Sequence, residues 1–204
     1  MTRPRSAACA APRFTLSQPA VRWLLAGSLA WLAVDVRAGG PVAAAEQRWC
    51  RAPGQAPTWA RWTSRLAERE AVTAAVATVV SHRWHTGRAP WPPVVAVVGG
   101  LLVRASLAQV VRRPRPSQEW WLVEPHGWSF PSRHTLQALL ATTALLDEVC
   151  PDRPVVRVAG VLAATTAVGA SRVRLGVHWP SDVLGAALTG VLWLRLLNWA
   201  RHSP

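Results

Sequence analysis

The 204-residue chain has no lysine; all 23 of its basic side chains are arginine. It has no tyrosine either, against 13 tryptophans. Acids are scarce, ten in all, and none lies in residues 1–22. Cysteine is limited to Cys9, Cys50 and Cys150. Each shortage narrows the reading. The cysteines are too far apart for a metal-ligand spacing, and no intramolecular disulfide is expected. The missing lysines point to coding bias first and leave every fixed positive charge on a guanidinium. With tyrosine absent, tryptophan carries the aromatic surface. Some of it fills a core, but its half-wet ring also favours the membrane–water interface. The shortage of acids leaves a formal net charge of +13, which suits an anionic partner. No nucleic-acid-binding motif accompanies that charge, which sets nucleic acid aside.

What is present is apolar sequence in blocks. Half the residues are hydrophobic. The first block is "VRWLLAGSLAWLAVDV", after a basic tail over residues 1–22 read as disordered. It is read as a transmembrane helix; the competing reading is a signal peptide cut after "VRA". "TWARWTSRLAERE" places Trp59, Trp62 and Leu66 on one helical face, as in a helix lying in the interface or in a soluble amphipathic helix. Five more blocks follow: "AVTAAVATVV", "WPPVVAVVGGLLVRASLAQVV", "TLQALLATTALL", "VVRVAGVLAATTAVGAS" and "DVLGAALTGVLWLRLLNWA". Several fall short of the ~20 apolar residues that span a bilayer. Six blocks separated by polar turns still predict an all-α, polytopic membrane bundle of about six transmembrane helices. The alternative is a soluble bundle of Ala-rich helices. With the basic tail inside, residues 38–70, 112–133 and 171–181 fall outside. Residues 23–204 then form one membrane-embedded domain.

Three polar clusters fall on that outer face. They are "RRPRP" (Arg112–Pro116), "SFPSRH" (Ser129–His134) and "SRVRLGVHWPSD" (Ser171–Asp182). Arg172 at a helix end is costly to bury without an anion. His178 and Asp182 are four apart, and Pro180 between them suits a helix start. Asp182 can then hold one imidazole nitrogen and leave the other free to attack phosphorus. Arg115 and Arg172 offer planar forks to phosphate oxygens. Ser132 offers a hydroxyl, and His134 at a helix start can protonate a leaving oxygen.

These residues resemble the type 2 phosphatidic acid phosphatase superfamily. Its signatures run Lys-x6-Arg-Pro, Pro-Ser-Gly-His and Ser-Arg-x5-His-x3-Asp. The third is complete at Ser171, Arg172, His178 and Asp182. The second reads Pro131-Ser132-Arg133-His134, with Arg for Gly. The first keeps Arg115-Pro116, but Ala108 stands in the Lys register. The resemblance covers about residues 70–200. It implies a phosphatase of lipid phosphates or polyprenyl diphosphates that needs neither metal nor cofactor. His178 would be the nucleophile forming a phosphohistidine, Asp182 its orienting carboxylate, and His134 the acid and then the base. Arg115, Ser132 and Arg172 would bind phosphate. Arg133 would add charge or partly obstruct the pocket, and Ser171 completes the substrate-binding set. Arg104 and Arg112 are the candidates to replace the missing Lys. The implied setting is a bacterial plasma membrane, with membrane lipids as partners and the site facing outward. Two alternatives are a vanadate-dependent haloperoxidase-like enzyme and a degenerate family member that binds lipid without turnover. The identity of the lipid and the oligomeric state stay open.

Overall fold

Helix ends fall where proline, glycine and serine punctuate the apolar blocks. α1 (Gln18–Ala38) is capped at its start by the Ser17 hydroxyl and closes on Gly39, whose φ of 69° is left-handed. α2 (Pro41–Trp49), α7 (Pro154–Arg174) and α8 (Pro180–His202) each open on a proline, where no intrahelical N–H is lost. α3 covers Thr58–Arg65, α4 Arg69–His85, α5 Trp91–Val111 and α6 Arg133–Val149. A short 3₁₀ turn, Gln118–Trp120, sits in the loop between α5 and α6. The computed structural model describes residues 17–50, 52 and 54–202, with no strand among them. The tail expected over residues 1–22 lies outside the described residues up to position 16, and its last five residues are already helical.

Among the described residues four helices are long and apolar enough to cross a membrane: α1, α5, α7 and the Pro180–Asn198 part of α8. α4 and α6 have 17 residues each. At 1.5 Å per residue they rise about 25 Å, short of the ~30 Å hydrocarbon core. The physical reason for α6 is its place. It packs against α4, α5, α7 and α8, and its whole run Thr135–Ala141 is buried. A helix surrounded by protein has less need of a lipid-facing stripe, so it tolerates Thr135 and Gln137. Most exposed tryptophans lie near helix ends: Trp23, Trp84 and Trp91 at one end of the bundle, Trp49, Trp59, Trp62 and Trp128 at the other, with Trp31 further along α1 as the exception. That is the distribution of an interfacial belt. α3 shows the expected face, with Trp59 and Trp62 exposed while Ala60 and Ser64 turn inward against α7.

The long helices alternate in direction. The ends of α1, α5 and α7 therefore meet the starts of α4, α6 and α8 at one end of the bundle. At the other end Glu148 is buried among cations. It pairs with Arg83 at 2.9 Å and with Arg88, tying α4 to α6. Close packing reaches the first end through Gly185 of α8. A Cβ there would overlap the ring of Phe130, which is fully buried and flanked by Ser129.

Candidate active site

The start of α8 sets the geometry. Asp182 lies in its first turn and is wholly buried. Its Oδ2 accepts from the Trp179 backbone N–H at 2.8 Å, from the Ser129 hydroxyl, and from His178 Nδ1 at 3.3 Å. The last contact places the Nδ1 proton and leaves Nε2 as an acceptor. Arg115 Nη1 lies 3.2 Å from that Nε2, a donor facing the acceptor. Two independent contacts thus select one tautomer. Burial pushes the His178 pKa down to about 4; Asp182 opposes the shift, and Arg115 and Arg172 add to it. The ring is thus neutral, held beside a carboxylate with Nε2 as its free acceptor.

Asp182 is itself held from behind. Its Oδ1 accepts from Arg113 Nη1 at 2.7 Å, while Arg113 Nη2 donates to Glu46 Oε2 at 2.7 Å. Glu46 also accepts from the Ser181 backbone N–H at 2.6 Å and the Ser181 hydroxyl at 2.7 Å. The relative exposures of Asp182, Arg113 and Glu46 are 0%, 4% and 9%. One guanidinium serves two carboxylates, with Trp179 beneath it, 5.4 Å from ring centroid to guanidinium carbon. Arg112 does the opposite. It closes α5 in the left-handed region (φ 50°), stays exposed, and returns Nε to the Gln109 carbonyl at 2.9 Å. That turn sends Arg112 outward and Arg113 inward. The expectation that Arg112 could contact phosphate is therefore corrected, and Arg113 is the residue that enters the network.

In front of His178 lies a small cavity. It is lined by Arg104, Arg115, Arg133, Arg172, His134 and His178, with Glu124, Pro125 and His126 at one side. Four guanidiniums face one carboxylate, and the N-terminus of α6 adds its partial positive charge. Arg115 sits in the loop after α5. Burial brings its pKa down to about 10; Asp182 opposes this, and Arg104 and Arg133 reinforce it. Its N–H groups mostly clasp the loop, donating to the carbonyls of Gly127 and His126 at 2.9 Å and Val177 at 2.6 Å. Arg104 reaches over from α5, one turn before buried Ala108, and donates to the Pro131 and Trp128 carbonyls at 2.9 and 3.2 Å. Arg172 is fixed by Ser64 of α3 at 2.7 Å, but its buried Nε–H has no partner among the described residues. A buried guanidinium N–H beside a cavity asks for an anion.

Two predicted residues stand back from the cavity. Ser132 is fully buried and caps α6, its Oγ accepting from the Thr135 hydroxyl at 3.0 Å. Its backbone N–H donates to the Asp182 carbonyl at 3.0 Å, which joins α6 to α8. Ser171 turns its hydroxyl back to the Val168 carbonyl at 2.7 Å. Sequence reasoning missed Glu46, Ser64, Ser129 and the inward turn of Arg113. The one available signal for Glu46 was scarcity: it is the only acid in the Ala-rich stretch "PVAAAEQRW" of a chain with ten acids.

Comparison with known proteins agrees with this picture. The sequence pattern of the PAP2 superfamily matches residues 89–203. Phosphatidylglycerophosphatase B of Escherichia coli K12 and that of Shigella flexneri are each 32% identical over 100 residues, 49% of this chain. The match spans 39% of those relatives' length. The crystal structure of a transmembrane PAP2-type phosphatidylglycerolphosphate phosphatase from Bacillus subtilis superposes with a TM-score of 0.66 at 19% identity. That superposition covers 89% of this chain and 97% of the other. The fold is thus a transmembrane one, and with its four apolar helices the chain is an integral membrane protein.

Two predictions follow from the geometry behind His178. Glu46→Gln keeps the shape but removes the charge that balances Arg113; it should lower kcat for phosphate release about tenfold, ~1.4 kcal/mol at the transition state, with KM little changed. Glu46→Ala should also destabilise the fold by about 3 kcal/mol, because Arg113 loses a buried partner. Steady-state kinetics and thermal unfolding in detergent read both. The second concerns pH. An ordinary imidazole titrates near ~6.5, whereas His178 holds out to about 4. Between those values the unfolded chain binds a proton that the folded chain does not. This group's stability contribution is therefore full above ~6.5 and is lost as pH falls toward the folded value. NMR of ring-labelled protein at a pH of about 5.5 should show His178 neutral; a charged ring there contradicts the burial argument.

Proposed function

The chain belongs to the PAP2 superfamily, and on that premise we propose that it hydrolyses the phosphate monoester of a membrane lipid without metal, through a phosphohistidine. The observation that carries this reading is the cavity itself. It presents four guanidiniums to one small volume, one of them with an unpaired buried N–H, and it ends on a neutral imidazole. The phosphoryl group binds among Arg104, Arg115, Arg133 and Arg172. Arg104 takes the place of the family Lys that Ala108 lacks. His178 Nε2 attacks phosphorus, and the P–O bond to the lipid alcohol breaks. The charge of the bound phosphoryl group offsets the guanidiniums around His134 and lets it carry the proton that it gives to the leaving oxygen. Asp182 keeps the Nδ1 proton and stabilises the positive ring of the phosphohistidine. Neutral His134 then takes a proton from water, the oxygen attacks phosphorus, and the P–N bond breaks. Inorganic phosphate leaves and both histidines return to their starting states.

Residues 23–204 act as one unit in this reading, because α1 and α2 pack on α8. All six long helices cross a bacterial plasma membrane, and the site faces outward. Arginines 83, 88 and 153 at the opposite end agree with that orientation, while the more numerous arginines at the site's end serve its buried ion pairs and its anion cavity. The relatives named for phosphatidylglycerophosphate favour a glycerophospholipid substrate. A polyprenyl diphosphate is the second reading, favoured by a guanidinium count that suits two phosphate groups.

Purified protein should release phosphate from a lipid phosphate in the presence of EDTA, and His178→Ala should lower that rate at least a thousandfold, the scale of losing a catalytic nucleophile. Loss of activity in EDTA, or full activity in a folded His178→Ala, contradicts the assignment.

A further inference from the structure

A second hollow opens beside the first. It has a volume of about 490 Å³ and runs between α4, α5 and α6. Its walls are apolar, with Val76 from α4 and Val97 and Leu101 from α5. Its polar end is made by Arg104, Arg133 and Gln137. Arg104 and Arg133 also line the phosphate cavity, so the two spaces adjoin at these side chains. An anionic head with an apolar tail fits that sequence of surfaces, and the tail's chains are the occupant we assign to the groove.

Gln137 is the residue neither the fold nor the mechanism uses. It is 5% exposed, and its Oε1 accepts no hydrogen bond from any described residue. A buried amide oxygen left unpaired is unfavourable, and the few that exist in proteins call for an explanation. Position supplies one. Gln137 follows Arg133 and His134 by four and three residues on α6, so the three share a face. His134 sits where the leaving oxygen would be protonated. Three residues further along the helix, a rise of about 4.5 Å, comes Gln137, at the mouth of the apolar groove. The atoms of a leaving alcohol next to its phosphoester oxygen pass this point before the tails begin. The unpaired acceptor asks for a donor there, and the donor an alcohol headgroup can bring is a hydroxyl.

We propose that Gln137 is a specificity-determining residue whose amide oxygen accepts a hydrogen bond from a hydroxyl on the leaving alcohol. The preferred substrates are then glycerophospholipid phosphates with a free hydroxyl on the carbon beside the phosphoester. Phosphatidylglycerophosphate has that hydroxyl. Phosphatidic acid and polyprenyl phosphates do not. The inference rests on the phosphatase reading above and goes beyond it by naming the group that is recognised.

The test uses full-length protein in detergent micelles with three substrates of matched acyl chains. They are phosphatidylglycerophosphate, its analogue lacking the headgroup hydroxyl, and phosphatidic acid. In the wild type, removing the hydroxyl should lower kcat/KM about tenfold. In Gln137→Leu, which keeps the volume and removes the acceptor, the intact substrate and the deoxy analogue should be hydrolysed at similar rates. A wild type indifferent to the hydroxyl overturns the proposal, and so does a Gln137→Leu that still discriminates tenfold. If that variant does not fold, the wild-type comparison of the two headgroups decides alone. If the wild type hydrolyses none of the three, the phosphatase reading falls, and with it this one. Hydrolysis without hydroxyl preference removes only the assignment to Gln137.

Discussion

Arg113 is one guanidinium shared by two buried carboxylates, and the site depends on it. Asp182 alone, wholly buried at the start of α8, would carry an uncompensated charge. With Arg113 beside it the carboxylate is paired on one oxygen and turns the other to His178. Glu46 completes the arrangement from α2, binding Arg113 on one side and both polar groups of Ser181 on the other. The same residues tie the bundle together. The Asp182 carbonyl holds the start of α6 through the Ser132 N–H, and its carboxylate holds Ser129 before it. A change in this knot moves His178, the α6 cap and the loop that carries Arg115 at once.

The charges are sorted around His178. Behind the ring, Asp182, Arg113 and Glu46 form a closely paired group. In front of it, guanidiniums crowd the cavity with Glu124 as their one carboxylate. An anion entering this space gains more than it would in water, because the walls exclude solvent and the donors are already placed. Arg172 shows this most directly. Ser64 of α3 fixes one end of its fork, and its buried Nε–H is left for a ligand.

Much of this was legible because it is local. His178 and Asp182 lie one helical turn apart, with a proline that starts the helix between them. Ser132 precedes a helical run and caps it. The six apolar blocks became the six long helices. The rest was hidden for physical reasons. Glu46 meets Asp182 through Arg113 across a long separation in sequence, and its own helix is short and alanine-rich. Arg112 and Arg113 are neighbours of identical type; a left-handed φ at Arg112 decides which one turns inward, and arginine does not announce that conformation. Ser171 matches a signature by spacing, yet its hydroxyl bonds within its own helix. The shortness of α6 was visible. That it is tolerated because other helices surround it was not.

The central claim is that the imidazole held by Asp182 and Arg113's network takes the phosphoryl group. Rapid mixing with a radiolabelled lipid phosphate, followed by an alkaline quench and peptide mapping, tests it directly. The account predicts label on His178 that survives alkali, is lost in acid, and forms no more slowly than phosphate appears. Phosphate release with no label on the protein, or with label on another residue, contradicts it.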